Sequence, residues 1–259
     1  MPNCDATTGD IVRYGVTLRQ RMLVHTMTTQ TERPVYTAHD PDVAAVRQVL
    51  VRALPGCRTE TIERLMRTVR FRVVKPGERV YRQGEPVPLT VILEGYGAAR
   101  RTTVSGKELV SGIAAAGVLF GWSGLASVPS SVELVAYTAC RIGQWPGKEV
   151  RSLAAADPAL ALAAIDSMAW SLHQTVERIE GFLHQDARIR VLRILAKHRE
   201  LFFGDPAILT RAHLPGLVGT SREMTGSVLR QLEREGTLVR VGRTGLELLR
   251  PDQLEIGSV

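Results

Sequence analysis

Arg222 and Glu223, preceded by Thr220 and Ser221 and followed by Ser227 and Arg230, are the side chains of this chain with the most definite chemistry to offer. An arginine can grip guanine in bidentate fashion and a glutamate can accept from cytosine N4, so such a pair at a helix N-terminus suits reading of base edges in the major groove of DNA. Thr220, Ser221 and Arg230 are of types that hold phosphates, and Arg240 and Arg243 downstream could reach further phosphates.

The elements that would position these groups are legible on either side. Gly219 supplies backbone freedom for a tight turn. Thr220 with Glu223 three residues later has the form of a capping box. Met224, Val228 and Leu232 recur every four residues and predict one buried stripe, with Glu223, Ser227, Arg230 and Arg234 opposite it and Gly236 as the stop. Upstream, residues 209–219 read as a first helix with Thr210 as its N-cap, joined to the second by a turn of three or four residues. Pro215 falls about one turn into that helix, where a proline costs roughly 3 kcal/mol. The helix therefore starts late, near His213, or is kinked. Downstream, residues 238–241 and 246–249 are short apolar strands around Gly242-Arg243-Thr244-Gly245, a hairpin that carries Arg240 and Arg243.

The 259 residues suffice for one large or two medium domains, and 44% hydrophobic with 23% charged residues are globular values. The net charge of +7 is compatible with a polyanionic partner, but the excess is spread out. There are 12 basic against 9 acidic residues from 186 onward, 17 against 13 over 41–185, and 4 against 4 in residues 1–40. Charge permits DNA binding without selecting it. Cys4, Cys57 and Cys140 form no paired motif and read as reduced thiols of a cytoplasmic protein. Residues 109–132 carry no charge, yet glycines, serines and Pro129 cut them into strands and turns rather than a membrane span.

Residues 1–40 are polar and threonine-rich and read as a flexible lead, with Met22 and Met27 as alternative starts. Residues 41–68 have helical spacing broken at Pro55-Gly56. From Phe71 to about Gly147 the texture changes to short β-branched runs, and Gly84, Gly95, Gly106 and Gly117 fall eleven residues apart, the turn spacing of an antiparallel sandwich or roll. After Asp157-Pro158 a long helix is expected, in which Ile165, Met168, Leu172, Thr175, Ile179 and Phe182 alternate three and four apart as a heptad seam. Such a seam suits a partner helix in a homodimer; packing on a β-roll of the same chain would give a similar stripe.

Taken together, the run Thr220-Ser221-Arg222-Glu223, the later Leu229-Arg230-Gln231-Leu232-Glu233-Arg234-Glu235-Gly236, and the roll tags Lys75-Pro76-Gly77-Glu78, Gln83-Gly84-Glu85, Leu93-Glu94-Gly95 and Leu119-Phe120-Gly121 resemble the cyclic-AMP receptor protein / fumarate–nitrate regulator (CRP/FNR) family of bacterial transcription factors. The resemblance covers residues 41–255. It implies an α+β chain: an antiparallel β-roll sensor with flanking helices at 41–157, a dimerisation helix at 158–185 hinged near Asp186, and a winged helix-turn-helix at 186–259. It also implies a homodimer on palindromic double-stranded DNA with GTGA-type half-sites, and contact with RNA polymerase where the regulator is an activator.

In relatives that bind cyclic AMP, a Glu after Phe-Gly holds the ribose and an Arg-Ser or Arg-Thr pair holds the cyclic phosphate. In this chain Gly121 is kept, Trp122 stands in place of the Glu, Ser130 in place of the Arg, and only Ser131 is retained; Thr175 falls where the family contacts the purine. The expectation is an effector other than cyclic AMP in the usual manner, with Trp122 narrowing the pocket and Arg100 or Arg101 the one route to compensation. Three scattered cysteines cannot supply a four-cysteine iron–sulfur set, and no histidine lies within the roll to ligate haem. No catalytic triad order, metal-spaced cluster or phosphate loop is present in the sequence, so an enzyme is not expected. The alternatives are a small-molecule or redox/haem receptor with vestigial DNA binding, and a winged-helix protein-interaction module.

Overall fold

The computed structural model describes residues 41–255, apart from 105 and 107. The expected lead and its alternative starts lie outside the described residues. Two helices open the described chain, α1 (Pro41–Ala53) and α2 (Thr59–Thr68), separated at the expected Pro55-Gly56 break. Eight strands follow: β1 (Arg70–Val74), β2 (Arg79–Tyr81), β3 (Leu89–Glu94), β4 (Tyr96–Thr102), β5 (Glu108–Ala115), β6 (Leu119–Phe120), β7 (Glu133–Ala136) and β8 (Cys140–Trp145). They form two antiparallel sheets, ordered β1-β8-β3-β6 and β2-β7-β4-β5. Cys140 opens strand β8.

Gly84, Gly95, Gly106 and Gly117 all sit at turns between these strands, with φ between 77° and 89°. At Gly95 the requirement is also steric, since a Cβ there would lie 2.2 Å from the Ala139 carbonyl oxygen. Val74, Val80, Tyr81, Val87, Ile92, Leu134, Ile142 and their neighbours fill the space between the two sheets. The first sheet's other face packs with Val46, Leu50, Leu65, Trp145, Val150 and Leu160 into a helical layer.

Helices α3 (Gly147–Ala156) and α4 (Pro158–His184) come next. Asp157 makes the start of α4 unambiguous: it is 2% exposed and accepts from the Ala159 amide at 3.1 Å, the Arg58 amide at 2.9 Å and the Thr61 hydroxyl at 2.6 Å. One carboxylate thus caps the long helix and ties it to α2, and these three bonds hold its pKa below the ordinary value. Among the described residues no helix is long and apolar enough to cross a membrane, and residues 109–132 form strands and one 3-10 turn as expected.

Asp186 caps α5 (Ala187–Lys197) by accepting from the Ile189 amide at 2.8 Å. Then follow α6 (Arg199–Phe203), α7 (Leu214–Val218), α8 (Arg222–Arg234), the hairpin β9 (Leu238–Val241) with β10 (Gly245–Leu248), and α9 (Asp252–Glu255). Their core does not close on itself alone. Val191, Leu195, Phe202, Leu214, Leu229, Leu232 and Leu238 are continuous with Ala98 and Val110 of the second sheet.

Candidate nucleic-acid interface

Helix α8 is the element on which the candidate base-reading residues ride. Its buried side is Thr225, Val228, Leu229 and Leu232, the last three within the C-terminal core. Arg222, Glu223, Ser227 and Arg230 are exposed on the other side, with Thr220 half-buried and Ser221 exposed just ahead of them. Two expectations change here. The N-cap is Ser221, whose Oγ accepts from the Met224 amide at 3.0 Å, so the box drawn from Thr220 to Glu223 is one residue early. Met224 is 48% exposed; Thr225 takes the buried place, its hydroxyl donating to the Ser221 carbonyl at 2.9 Å, because at about 100° per residue it falls among Val228, Leu229 and Leu232 while Met224 lies to one side of them.

The turn ahead of α8 depends on Gly219, the C-cap of α7, at φ 68°. A Cβ there would come within 2.7 Å of the Phe182 ring. The first helix does begin late, at Leu214, so Pro215 occupies its first turn, where the missing amide would have had no intrahelical partner. Thr210 therefore does not cap it. Instead the Thr210 amide donates to His213 Nδ1 at 2.9 Å, and the His213 ring stacks at 4.7 Å on Tyr137 of the roll.

The hairpin after α8 forms as expected, with Gly245 opposite Val241 and Leu248 opposite Leu238. Arg243 is exposed at its tip. Arg211 fastens that tip: its amide donates to the Thr244 carbonyl at 3.1 Å and its guanidinium to the Arg243 carbonyl. Sequence reasoning missed Arg211, since nothing local links it to a turn 32 residues away. Arg240 differs from the expectation of a free phosphate ligand, because it pairs with Glu233 of α8 at 2.7 Å. The same arginine holds the Glu233 carboxyl below the usual range.

The expected effector residues sit in different surroundings. Gly121, at φ 95°, lets the chain pass close to Pro88, whose carbonyl oxygen would lie 2.2 Å from a Cβ. Trp122 does not narrow a pocket: it is 5% exposed and packs into the helical layer on the far side of the first sheet. Ser130 is buried and closes a turn, donating to the Val132 carbonyl at 2.6 Å, while Ser131 is exposed. Thr175 is exposed on α4, its hydroxyl donating to the Ser171 carbonyl at 2.8 Å. Arg100, a route to compensation for the missing arginine, is engaged by Glu133 at 2.7 Å and Glu108 at 3.1 Å. A cavity of about 500 Å³ does border the roll, but its walls include Tyr81, Glu85, Pro86, Gly124, Gln144 and Lys148 and none of the five expected effector residues.

On α4, Ile165, Met168, Leu172 and Ile179 are 41–66% exposed, as an unpartnered seam requires. Thr175 is exposed beside them, and the apolar stripe also includes Val176 (48%) and Leu183 (70%), whereas Phe182 is drawn off it. Phe182 is half-buried against Gly219 of its own chain, with the Arg190 guanidinium 5.5 Å from its ring. From Leu172 onward the sequence offers two continuations with equal heptad spacing, so periodicity alone could not separate them.

Residues 71–157 match the family model of the cyclic nucleotide-binding domain. The cAMP-activated global transcriptional regulator CRP of Haemophilus influenzae is 29% identical over 147 residues, 54% of this chain and 66% of that protein. CRP of Escherichia coli O157:H7 is 28% identical over 171 residues, 62% of this chain and 81% of that protein. Among solved structures, the c-di-GMP-responsive global regulator CLP of Xanthomonas campestris superposes with a TM-score of 0.62 at 26% identity, covering 74% of this chain and 99% of CLP. A CRP/FNR-family regulator from Eubacterium rectale superposes with a TM-score of 0.66 at 16% identity, covering 77% and 94%. In sequence and fold the chain is similar to regulators of the CRP/FNR family. The roll with its flanking helices, the long helix and the winged C-terminal elements follow the order that this likeness implies, and the departures lie at the pocket residues, the first helix of the helix-turn-helix, the cap of α8, Arg240 and Phe182.

Proposed function

We propose that the chain is a DNA-binding transcription regulator that acts as a homodimer on a palindromic operator. The observation that carries this reading is α8: one side is buried in the core while Arg222, Glu223, Ser227 and Arg230 all face solvent. Arg222 and Glu223 read base edges; Ser221, Arg230 and Arg243 hold phosphates. The exposed apolar stripe of α4 joins two copies, which places two recognition helices on half-sites about one helical turn apart. RNA polymerase is a partner where the protein activates.

The roll does not take cyclic AMP in the family's usual manner. Ser130 offers no charge to a cyclic phosphate, Arg100 is committed to two carboxylates, and Trp122 is packed elsewhere. Selection of bound sequences from a random duplex pool tests the DNA reading: symmetric GTGA-type half-sites are expected, with relaxed preference at the step facing Ser227. Arg222→Ala should cost about 1–3 kcal/mol and flatten the preference at one base pair. Featureless or asymmetric sites would refute it, and micromolar calorimetric binding of cyclic AMP would refute the reading of the roll.

A further inference from the structure

A second cavity, of about 170 Å³, lies where the end of α4 meets α5 and α7. Arg178, Arg190, Arg193 and Lys197 line it, and Glu177 is the carboxylate among the lining residues. Leaving aside Arg193, which has an interaction of its own, three cations against one anion leave a net charge of +2 around this small space. The carboxylate is already shared, taking a hydrogen bond from Gln174 at 3.1 Å and lying 3.4 Å from His173.

Arg178, Arg190 and Lys197 are poorly compensated in other ways. Arg178 is half-buried and spends one N–H on the Val110 carbonyl at 3.3 Å. The Nε of Arg190 is buried without a hydrogen-bond partner. Lys197 stands at the exposed rim, yet loss of solvent in the cavity and the neighbouring Arg178 lower its pKa. Like charges held together away from bulk water repel strongly, and a chain keeps such a cluster at a cost unless an anion completes it.

We propose that this hinge cavity binds a small phosphate-bearing anion of two or more charges, which clamps the long helix to the C-terminal elements. A monocarboxylate would leave half of the net charge unmatched, whereas a phosphate offers several oxygens to the forked guanidinium donors. The site is separate from the roll, and it joins elements on either side of the hinge at Gln185-Asp186.

Calorimetry on the full chain at constant ionic strength tests this, with inorganic pyrophosphate as probe and acetate as control. One pyrophosphate per chain should bind saturably and raise the melting temperature, and acetate should do neither. Lys197→Gln should weaken pyrophosphate at least tenfold while melting no lower than the parent chain without ligand, because it relieves repulsion. Arg178→Gln should weaken it likewise. A nucleoside diphosphate arm identifies the source of the phosphate: binding tighter than pyrophosphate indicates a nucleotide, and equal or weaker binding indicates the free anion. No saturable binding, or unchanged affinity in both variants, would overturn the proposal. None of these readouts involves DNA, so the outcome stands apart from the operator reading.

Discussion

Leu172→Ala tests whether the stripe on α4 is an interface between two copies of the chain. Leu172 is 66% exposed, so about two thirds of its surface remains to be buried by a partner. Full burial of a leucine contributes about 1.5–3 kcal/mol, and a two-fold dimer buries two copies, giving about 2–4 kcal/mol at most. Alanine keeps the Cβ, so the expected loss is about 1.5–3 kcal/mol, or roughly ten- to 150-fold in dimer dissociation constant. Sedimentation equilibrium measures that constant, and a thermal melt of dilute monomer measures the fold separately. The melt should be nearly unchanged, because Leu172 has little packing to lose within its own chain. Leu183, 70% exposed, should behave like Leu172. Phe182→Ala should instead lower monomer stability, since its ring packs on Gly219. A dissociation constant within threefold of the parent for both Leu172→Ala and Leu183→Ala would refute the reasoning and move any interface off this helix.

Three further outcomes follow from local geometry. Gly219→Ala must hold alanine at φ 68° and displace the Phe182 ring, so denaturant unfolding should show a loss of about 2–3 kcal/mol, and a neutral substitution would contradict the strain. His198 has its pKa pushed down from 6.5 to about 4, by burial first and then by Lys197 and Arg178. The unfolded chain therefore binds a proton there that the folded chain refuses. Stability should fall as pH drops from about 6.5 toward 4, by at most about 3 kcal/mol, and His198→Gln should flatten that part of the profile in pH-dependent denaturation. At the hairpin, Arg243→Ala should weaken all duplexes alike and reduce the salt slope by about one, while removing Arg240 and Glu233 together should leave the slope unchanged, since that pair is neutral; filter binding across a salt series reads both.

Much of the chain is decided by neighbours in sequence, and those parts were legible. The break at Pro55-Gly56, the eleven-residue glycine spacing, the start of α4 at Asp157-Pro158 and the hairpin around Gly242–Gly245 each rest on turn or cap chemistry within a few residues. The exposed polar side of α8 is of the same kind: 3.6 residues per turn puts Glu223, Ser227 and Arg230 together whatever lies beneath.

The tertiary structure decided what depends on partners distant in sequence. Whether Trp122 enters the roll or the helical layer turns on which space α1, α2 and α4 leave to be filled, and they leave the latter. Thr225 rather than Met224 is buried because the core gathers Val228, Leu229 and Leu232 beneath α8, and the cap falls on Ser221, which periodicity alone could not select over Thr220. The exposed apolar stripe of α4 reaches Leu183 rather than Phe182 because Phe182 packs on Gly219, 37 residues later. Arg240 and Arg100 look like available cations in the sequence, but they are committed because folding sets Glu233, Glu133 and Glu108 beside them. A sequence lists the charges of a chain; only the fold determines which of them have already found one another.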